Sequence, residues 1–243
     1  MASDIRRICG FNQINRDLWV AGVAERLPAG TRVLDVGAGE CRYRECFAHC
    51  DYVSQDFCQY GGTEEGVLKE KWQYGLIDYT SDIASIPVPA RSFDAVLCTE
   101  VLEHVPEPIR AIAEFNRILK IGGHLFLSTP LGSGLHQQPH HYYGGFTPHF
   151  FQRFLAQYGF EIQALETNGG FFRHLLQEVN RAAGIIQSRR RYGWWHPAYW
   201  GLRYGFSYFL PLWFAKLDDE IFVEEFTVGY QVEARKIREA ETE

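Results

Sequence analysis

The chain has 243 residues and a formal net charge of −6, and hydrophobic residues make up 46% of it. This length and composition are typical of one globular domain, or of a domain with a large insertion, and they exclude a disordered chain. The acidic charge balance argues against an electrostatic footprint for nucleic acid, so we expect no nucleic-acid partner.

The N-terminal segment and the cysteines favour a cytoplasmic protein. Residues 1–12 contain Asp4, Arg6 and Arg7 and lack the apolar stretch of a signal peptide. The six cysteines include no C-x-x-C pair, so we expect free thiols and neither a disulfide framework nor a cysteine-ligated metal.

The first predicted elements surround a glycine turn. Apolar residues at helical spacing predict a helix over 12–27, and the apolar run 33–36 predicts a buried strand. Gly37 and Gly39 follow that strand, and glycine permits both a sharp turn and a close approach of the backbone to a ligand. We expect a helix over 40–50, with the positive end of its dipole at this turn.

Strands and helix-length segments then alternate along the chain, which predicts an α/β fold: a doubly wound, mainly parallel seven-stranded sheet with helices on both faces. The pattern predicts further strands over 52–55, 74–79, 93–98, 124–129, 160–167 and 226–235, and a helix over 109–119.

Four polar residues fall at the predicted ends of separate strands. These are Asp35, Asp56, Asp82 and Thr99. Ligands of open α/β sheets bind at the carboxyl ends of the strands, so we expect these residues to converge on one crevice.

The chain resembles the class I S-adenosylmethionine-dependent methyltransferases over about residues 15–162. The resemblance is carried by VLDVGAG at 33–39, SDIASIPVPARSFDAVLCTEVLEHV at 81–105 and ILKIGGHLFLSTP at 118–130. FTPHFFQRFLAQYGFEI at 146–162 is similar to the substrate-side helix of that family and the strand after it. The resemblance implies the Rossmann-like methyltransferase fold and S-adenosylmethionine as the cofactor.

The resemblance also implies which residues hold the cofactor. The glycine turn and Asp35 would hold its methionine end, Asp56 the ribose hydroxyls, Asp82 the adenine amino group, and Ile83 the adenine ring. The third glycine of the dinucleotide fingerprint is absent, because Arg42 stands there, which disfavours a dehydrogenase. The full expected set is Asp35, Gly37, Ala38, Gly39, Asp56, Asp82, Ile83, Cys98, Thr99 and Glu100.

Histidines are the candidates for the chemistry. If the acceptor is a hydroxyl, its proton needs a recipient, and His104 and His141 are the predicted bases. His104 also has a purely structural interpretation as a packed or capping side chain. Glu100, Glu103 and His104 would share one face of a helix and could ligate a divalent cation, although our prediction for the site is that no metal binds.

The segment 131–149 predicts a mobile loop at the active site. It is rich in glycine, histidine and tyrosine, and His140, Tyr142 and Tyr143 are the predicted substrate contacts. An aromatic surface loop without a role in binding is the alternative. His136, His140 and His141 are candidates for a further metal ligand in this loop.

A long segment separates the sixth predicted strand from the last. We interpret the chain as a single domain, 1–243, with a helical insertion over 171–220. Its basic and aromatic part, 189–214, favours a lid or a homodimer interface over weak contact with a membrane surface, and charged residues and Pro211 interrupt any spanning helix.

These features predict methyl transfer from S-adenosylmethionine to a small or medium-sized acceptor, through a hydroxyl of a saccharide or secondary metabolite. The alternatives are N- or C-methylation, metal-assisted RNA 2'-O-methylation, which the net charge opposes, and a scaffold that binds the cofactor without catalysis.

Overall fold

The computed structural model describes residues 2–61, 73–188 and 195–240. Its contacts divide the chain into two compact units. We call residues 17–61, 73–166 and 229–240 the sheet unit, and residues 2–16 together with the described part of 167–228 the helical unit.

The sheet unit contains one seven-stranded sheet, as the sequence predicts. Its strand order is β3-β2-β1-β4-β5-β7-β6, and β7 runs antiparallel to β5 while the pairs among β1 to β5 are parallel. The strands are β1 (Arg32–Val36), β2 (Asp51–Asp56), β3 (Tyr79–Thr80), β4 (Phe93–Thr99), β5 (Leu119–Pro130), β6 (Phe160–Thr167) and β7 (Gly229–Lys236).

Helices cover the sheet because its central strands are apolar on both faces. The helices labelled α2, α3 and α4 span Phe11–Arg26, Pro108–Ile118 and Pro148–Gln157. Leu34 and Val36 of β1 belong to the larger buried cluster, whereas Val33 belongs to the other, with residues of α2. This alternation fixes the register of the sheet and brings the ends of β1, β2 and β4 to one edge.

The predicted helix over 40–50 is wrong. Turns follow Gly39, and only Arg44–Phe47 form a short 3₁₀ helix. Cys41 has a positive φ of 55°, which α-helical backbone does not allow. The carbonyl of Gly39 accepts a hydrogen bond from the N–H of Gly75, so a segment distant in sequence shapes this turn.

Three strand boundaries also differ from the prediction. Where a strand over 74–79 is expected, β3 has only two residues. β5 begins at Leu119 rather than at residue 124, so Gly122 and Gly123 lie within the strand. β7 begins at Gly229 rather than Phe226, which lies in a 3₁₀ turn.

The helical unit contains α1 (Ala2–Cys9), α5 (Phe171–Ser188), α6 (Pro197–Gly201), a π-helical stretch (Leu202–Phe209) and α7 (Leu210–Glu220). Asp218 of α7 is buried, and its carboxylate accepts hydrogen bonds from the N–H groups of Gly170 and Arg173 at the start of α5. This contact satisfies N–H groups that have no partner within the helix. Within the predicted insertion, residues 189–194 lie outside the described residues.

Among the described residues, the structure contains no helix with the length and apolar character needed to cross a membrane.

Candidate functional site

The glycine turn after β1 is closely packed. Gly37 and Gly39 have positive φ values of 68° and 52°. A Cβ at Gly37 would lie 2.7 Å from Cγ1 of Val101, so no other residue fits there without displacing Val101. The N–H of Ala38 donates to the carbonyl of Gln55 at 3.0 Å and so ties the turn to β2.

Asp56 closes this turn from the end of β2. The N–H of Gly39 donates to one carboxylate oxygen at 2.9 Å, and the N–H of Cys58 donates to the other at 2.9 Å. The side chain is only 5% exposed. Each carboxylate oxygen has a second lone pair, so two hydroxyls of a ribose could bind as well.

Asp35 lies beneath the turn and is 2% exposed. It accepts a hydrogen bond of 2.6 Å from the hydroxyl of Tyr52. Burial raises the pKa of Asp35 to about 7, the charge of Asp56 acts in the same direction, and the Tyr52 hydrogen bond opposes both. Tyr52 is a functional candidate that the sequence analysis missed. The sequence gives no signal for this contact, because it depends on the register of β1 with β2, in which Tyr52 lies opposite Val33.

The predicted adenine contacts lie after β3. Asp82 is exposed and accepts a hydrogen bond of 2.8 Å from the N–H of Ala84, while Ile83 is buried. The side-chain amide of Gln55 donates to the carbonyl of Ser81 at 2.7 Å. This segment is therefore anchored to β2 next to Asp56, and the role of Asp82 stays a prediction.

The segment after β4 does not form a regular α-helix. Cys98 is fully buried and burial raises its thiol pKa. Glu100 has a positive φ of 54°, its N–H donates to the carbonyl of Ser128, and its carboxylate accepts from the Ser128 hydroxyl at 2.8 Å. Only Leu102–His104 form a 3₁₀ turn. Glu100, Glu103 and His104 therefore do not share the helix face that the metal-binding alternative requires.

Three histidines come together beside this turn, and we call His104, His136 and His141 the histidine cluster. The ring centroid of His104 lies 4.8 Å from that of His136 and 5.5 Å from that of His141. The ring centroids of His136 and His141 are 4.5 Å apart. The pKa of His104 is lowered to about 4, first by burial and then by its histidine neighbours, with the His140 hydrogen bond acting in the opposite direction. The Oγ atom of Ser133 lies 3.1 Å from Nε2 of His141.

The predicted substrate contacts border this cluster. The ring of His140 packs edge-on against Phe57, with the centroids 5.0 Å apart. The N–H groups of Tyr142 and Tyr143 both donate to the carbonyl of Glu103. The side chain of Tyr142 is 49% exposed, and the hydroxyl of Tyr143 donates to a backbone carbonyl. Phe57 is another candidate that the sequence analysis missed.

Comparison with known proteins finds similarity over part of the chain. Residues 34–127 match a family model described as a methyltransferase domain. A curated relative, the ubiquinone biosynthesis O-methyltransferase of Xanthomonas axonopodis pv. citri strain 306, is 38% identical over 117 residues, which are 44% of this chain and 46% of that protein. The chain thus spans about half the length of the curated relatives that it matches.

Two solved structures support the same fold. The phosphoethanolamine N-methyltransferase 2 of Haemonchus contortus, in complex with S-adenosyl-L-methionine, superposes with a TM-score of 0.53 at 18% identity, over 92% of this chain and 53% of that one. A Bacillus halodurans C-125 protein gives a TM-score of 0.54 at 18% identity, over 92% of this chain and 100% of that one. At these identities the likeness concerns the fold alone.

Proposed function

We propose that the protein transfers a methyl group from S-adenosylmethionine to a hydroxyl oxygen of a small molecule, since residues 34–127 match the model of a methyltransferase domain. One observation carries the proposal: a glycine turn with no room for a side chain, bonded to a buried carboxylate on the next strand.

The proposed cofactor site uses the sheet edge at the ends of β1, β2 and β4. The backbone of Gly37, Ala38 and Gly39, with Asp35 beneath, would hold the methionine end together with Cys98, Thr99 and Glu100. Asp56 would accept bonds from the ribose, and Asp82 and Ile83 would hold the adenine. A cationic sulfonium is electrostatically favoured at an edge that carries several acidic side chains.

The histidine-rich loop supplies the proposed acceptor side. A lone pair of the acceptor oxygen forms the new O–CH₃ bond, while the CH₃–S bond breaks and its electron pair returns to sulfur. The hydroxyl proton passes to a base, for which we propose His141. Positioning of the two reactants supplies much of the rate enhancement in such a displacement. His140, Tyr142 and Tyr143 would orient the acceptor.

We favour a phenolic hydroxyl over the alcohol of a saccharide. The curated relative is an O-methyltransferase of ubiquinone biosynthesis. The rings of Phe57 and His140 lie beside the histidine cluster and offer an aromatic surface on which a phenol could pack. A phenol is also more acidic than an alcohol, with a pKa of about 10 for tyrosine, so less help from a base is required.

A binding experiment tests the cofactor site. Calorimetric titration with S-adenosylhomocysteine should show a single site, and Asp56→Ala should weaken it. Asp51→Ala, an exposed acid at the other end of the same strand, should bind as the wild type does. Equal affinity in both variants, or no binding to the wild type, would contradict the proposed site.

A transfer experiment tests the reaction. Protein with methyl-labelled S-adenosylmethionine should label catechol-type phenols more than saccharides and should not label RNA. His141→Ala should lower turnover with cofactor affinity kept, whereas His149→Ala, an exposed histidine bonded to Gln152, should leave turnover unchanged. Labelled amines or RNA would favour the alternatives, and cofactor binding without any transfer would favour a non-catalytic scaffold.

A separate proposal concerns self-association through the helical unit. Trp195, Phe209 and Trp213 are 75%, 63% and 56% exposed, and aromatic side chains are enriched at protein interfaces. Sedimentation of the wild type should give a homodimer, and Trp213→Ser should shift it to a monomer. A wild-type monomer at all concentrations would reject this proposal.

A further inference from the structure

A tyrosine of the neighbouring strand contacts the acid beneath the glycine turn. Tyr52 lies opposite Val33 in the parallel register of β1 and β2, so its side chain is on the same face of the sheet as those of Val33 and Asp35. From there its hydroxyl reaches the carboxylate of Asp35, with 2.6 Å between the two oxygens. We propose that Tyr52 is a positioning residue for the cofactor, a role that rests on the proposed function: its hydroxyl orients the Asp35 carboxylate and favours its ionised form, which binds the methionine end.

Residues of the short 3₁₀ helix hold the Tyr52 ring in place. The guanidinium carbon of Arg44 lies 4.7 Å from the centroid of the ring, and the ring centroid of Phe47 lies 6.1 Å from it. Arg44 is itself anchored, because its Nη2 donates to the carbonyl of Leu76 at 2.8 Å. A side chain that is already held by packing loses little conformational freedom when it forms a hydrogen bond. The Tyr52 hydroxyl is therefore a preorganised donor.

In this bond the tyrosine donates and the carboxylate accepts. Burial, and then the charge of Asp35, raise the pKa of Tyr52, so the phenol keeps its proton. Among the residues that the structure describes, Tyr52 is the only hydrogen-bond donor to Asp35, and it bonds to Oδ2. The lone pairs of Oδ1 are left for a ligand. The ammonium group of the methionine end is a donor of the matching charge.

The groups around Asp35 determine how readily it ionises. Burial raises the pKa of Asp35 to about 7, the Tyr52 hydrogen bond lowers it, the charge of Asp56 raises it and the charge of Arg44 lowers it. On the β4 side the Cys98 thiol is neutral, because burial raises its pKa as well. A hydrogen bond to the carboxylate stabilises the charged form. Tyr52 thus opposes the burial that disfavours the anion.

Cofactor binding should therefore release a proton. The ionised carboxylate attracts the ammonium group and the neutral acid does not, so the proton of Asp35 leaves for the solvent as the ligand binds. Because the pKa of Asp35 is about 7, the affinity should rise about tenfold between pH 6 and pH 8. Tyr52→Phe removes one hydrogen bond to a charged group, which should shift this dependence upward by roughly one pH unit. The variant should then bind about fivefold more weakly at pH 7.

Calorimetric titration with S-adenosylhomocysteine measures both the affinity and the proton release. Titrations at pH 6, 7 and 8, each in two buffers of different ionisation enthalpy, give the Kd and the number of protons released. At pH 7 the wild type should release about half a proton per ligand, and Asp35→Asn should release none. Tyr43→Phe is the matched control, because the Tyr43 hydroxyl also donates to an aspartate, Asp17, at 3.1 Å. It should keep the wild-type pH dependence. The amino group of the ligand titrates alike in every measurement, so differences between variants report the protein.

The outcomes separate the role of Tyr52 from the proposed function. Tyr52→Phe that binds as the wild type does at every pH, or that loses the same factor at every pH, would overturn the proposal. A wild-type affinity that is equal at pH 6 and pH 8 would also overturn it and would leave the proposed function intact. A wild type that does not bind S-adenosylhomocysteine would reject the proposed function and this role with it. If Tyr52→Phe unfolds, Arg44→Met carries the test, because it frees the tyrosine ring and removes a charge that lowers the pKa of Asp35. It should shift the pH dependence in the same direction.

Discussion

Replacing Asp35 with asparagine should change how the stability of the protein depends on pH. Asparagine can still accept the hydrogen bond from Tyr52 through its side-chain carbonyl, but it carries no charge. In the wild type, burial and the charge of Asp56 raise the pKa of Asp35 to about 7. The folded protein therefore holds a proton that the unfolded chain releases near the ordinary value of 3.8.

The sign and size follow from this difference. Because the pKa is raised in the folded state, the stabilisation from the proton on Asp35 is complete below about pH 4 and is lost as the pH rises through about 7. Between pH 5 and pH 8 the loss is about 2 to 3 kcal/mol of the free energy of unfolding. The Asp35→Asn variant lacks this loss, so its free energy of unfolding should fall less than that of the wild type between pH 5 and pH 8.

Urea unfolding of the cofactor-free protein at several pH values measures the effect. Asp94→Asn is the matched control, because Lys120 and the N–H of Arg32 bond to Asp94 and its pKa is lowered. The Asp94 carboxylate stays ionised from pH 5 to pH 8, so the free energy of unfolding of Asp94→Asn should change with pH as that of the wild type does. If the free energy of unfolding of Asp35→Asn also changes with pH as that of the wild type does, Asp35 is ionised throughout and the argument from burial is refuted.

Two further substitutions test the packing. Gly37→Ala should destabilise the turn by about 1 to 2 kcal/mol through its positive φ alone and should weaken binding of S-adenosylhomocysteine. Adding Val101→Ala should restore part of that affinity by removing the clash, and no recovery would show that the clash is not the cause. Lys236→Met should lower the urea midpoint, because the fully buried ammonium group donates to Glu239 and to two backbone carbonyls. Those carbonyls would lose their partners, at a cost of about 1 to 3 kcal/mol each. Lys120 is half-exposed, so Lys120→Met should change the urea midpoint little.

The fold was predictable where local pattern and burial agree. β6 was predicted at its observed bounds and β4 within one residue, because β6 begins with alternating apolar and polar residues, β4 is largely apolar, and turns bound both strands. The helix over 40–50 failed because its backbone is shaped by Gly75, which lies far along the chain. The sequence pattern within residues 40–50 cannot show a contact with a residue so far along the chain.

The site was predictable in its residue types more than in its geometry. Asp56 followed from the spacing of strands in a doubly wound sheet, and it does bond to the glycine turn. The Glu100, Glu103 and His104 set failed because positive φ at Glu100 turns its carboxylate toward Ser128. The approach of His136 to His104 depends on how a long loop closes, which spacing does not determine.

The glycine turn and the histidine cluster are linked through a short piece of chain. Val101 packs against Gly37, and three residues later His104 belongs to the histidine cluster. Leu102 between them is fully buried, so this piece of chain has little freedom to move independently. A ligand that shifts the glycine turn should therefore also shift the His104 ring. Because such coupling is reciprocal for binding free energies, any factor by which the cofactor changes the affinity for the acceptor must equal the factor by which the acceptor changes the affinity for the cofactor.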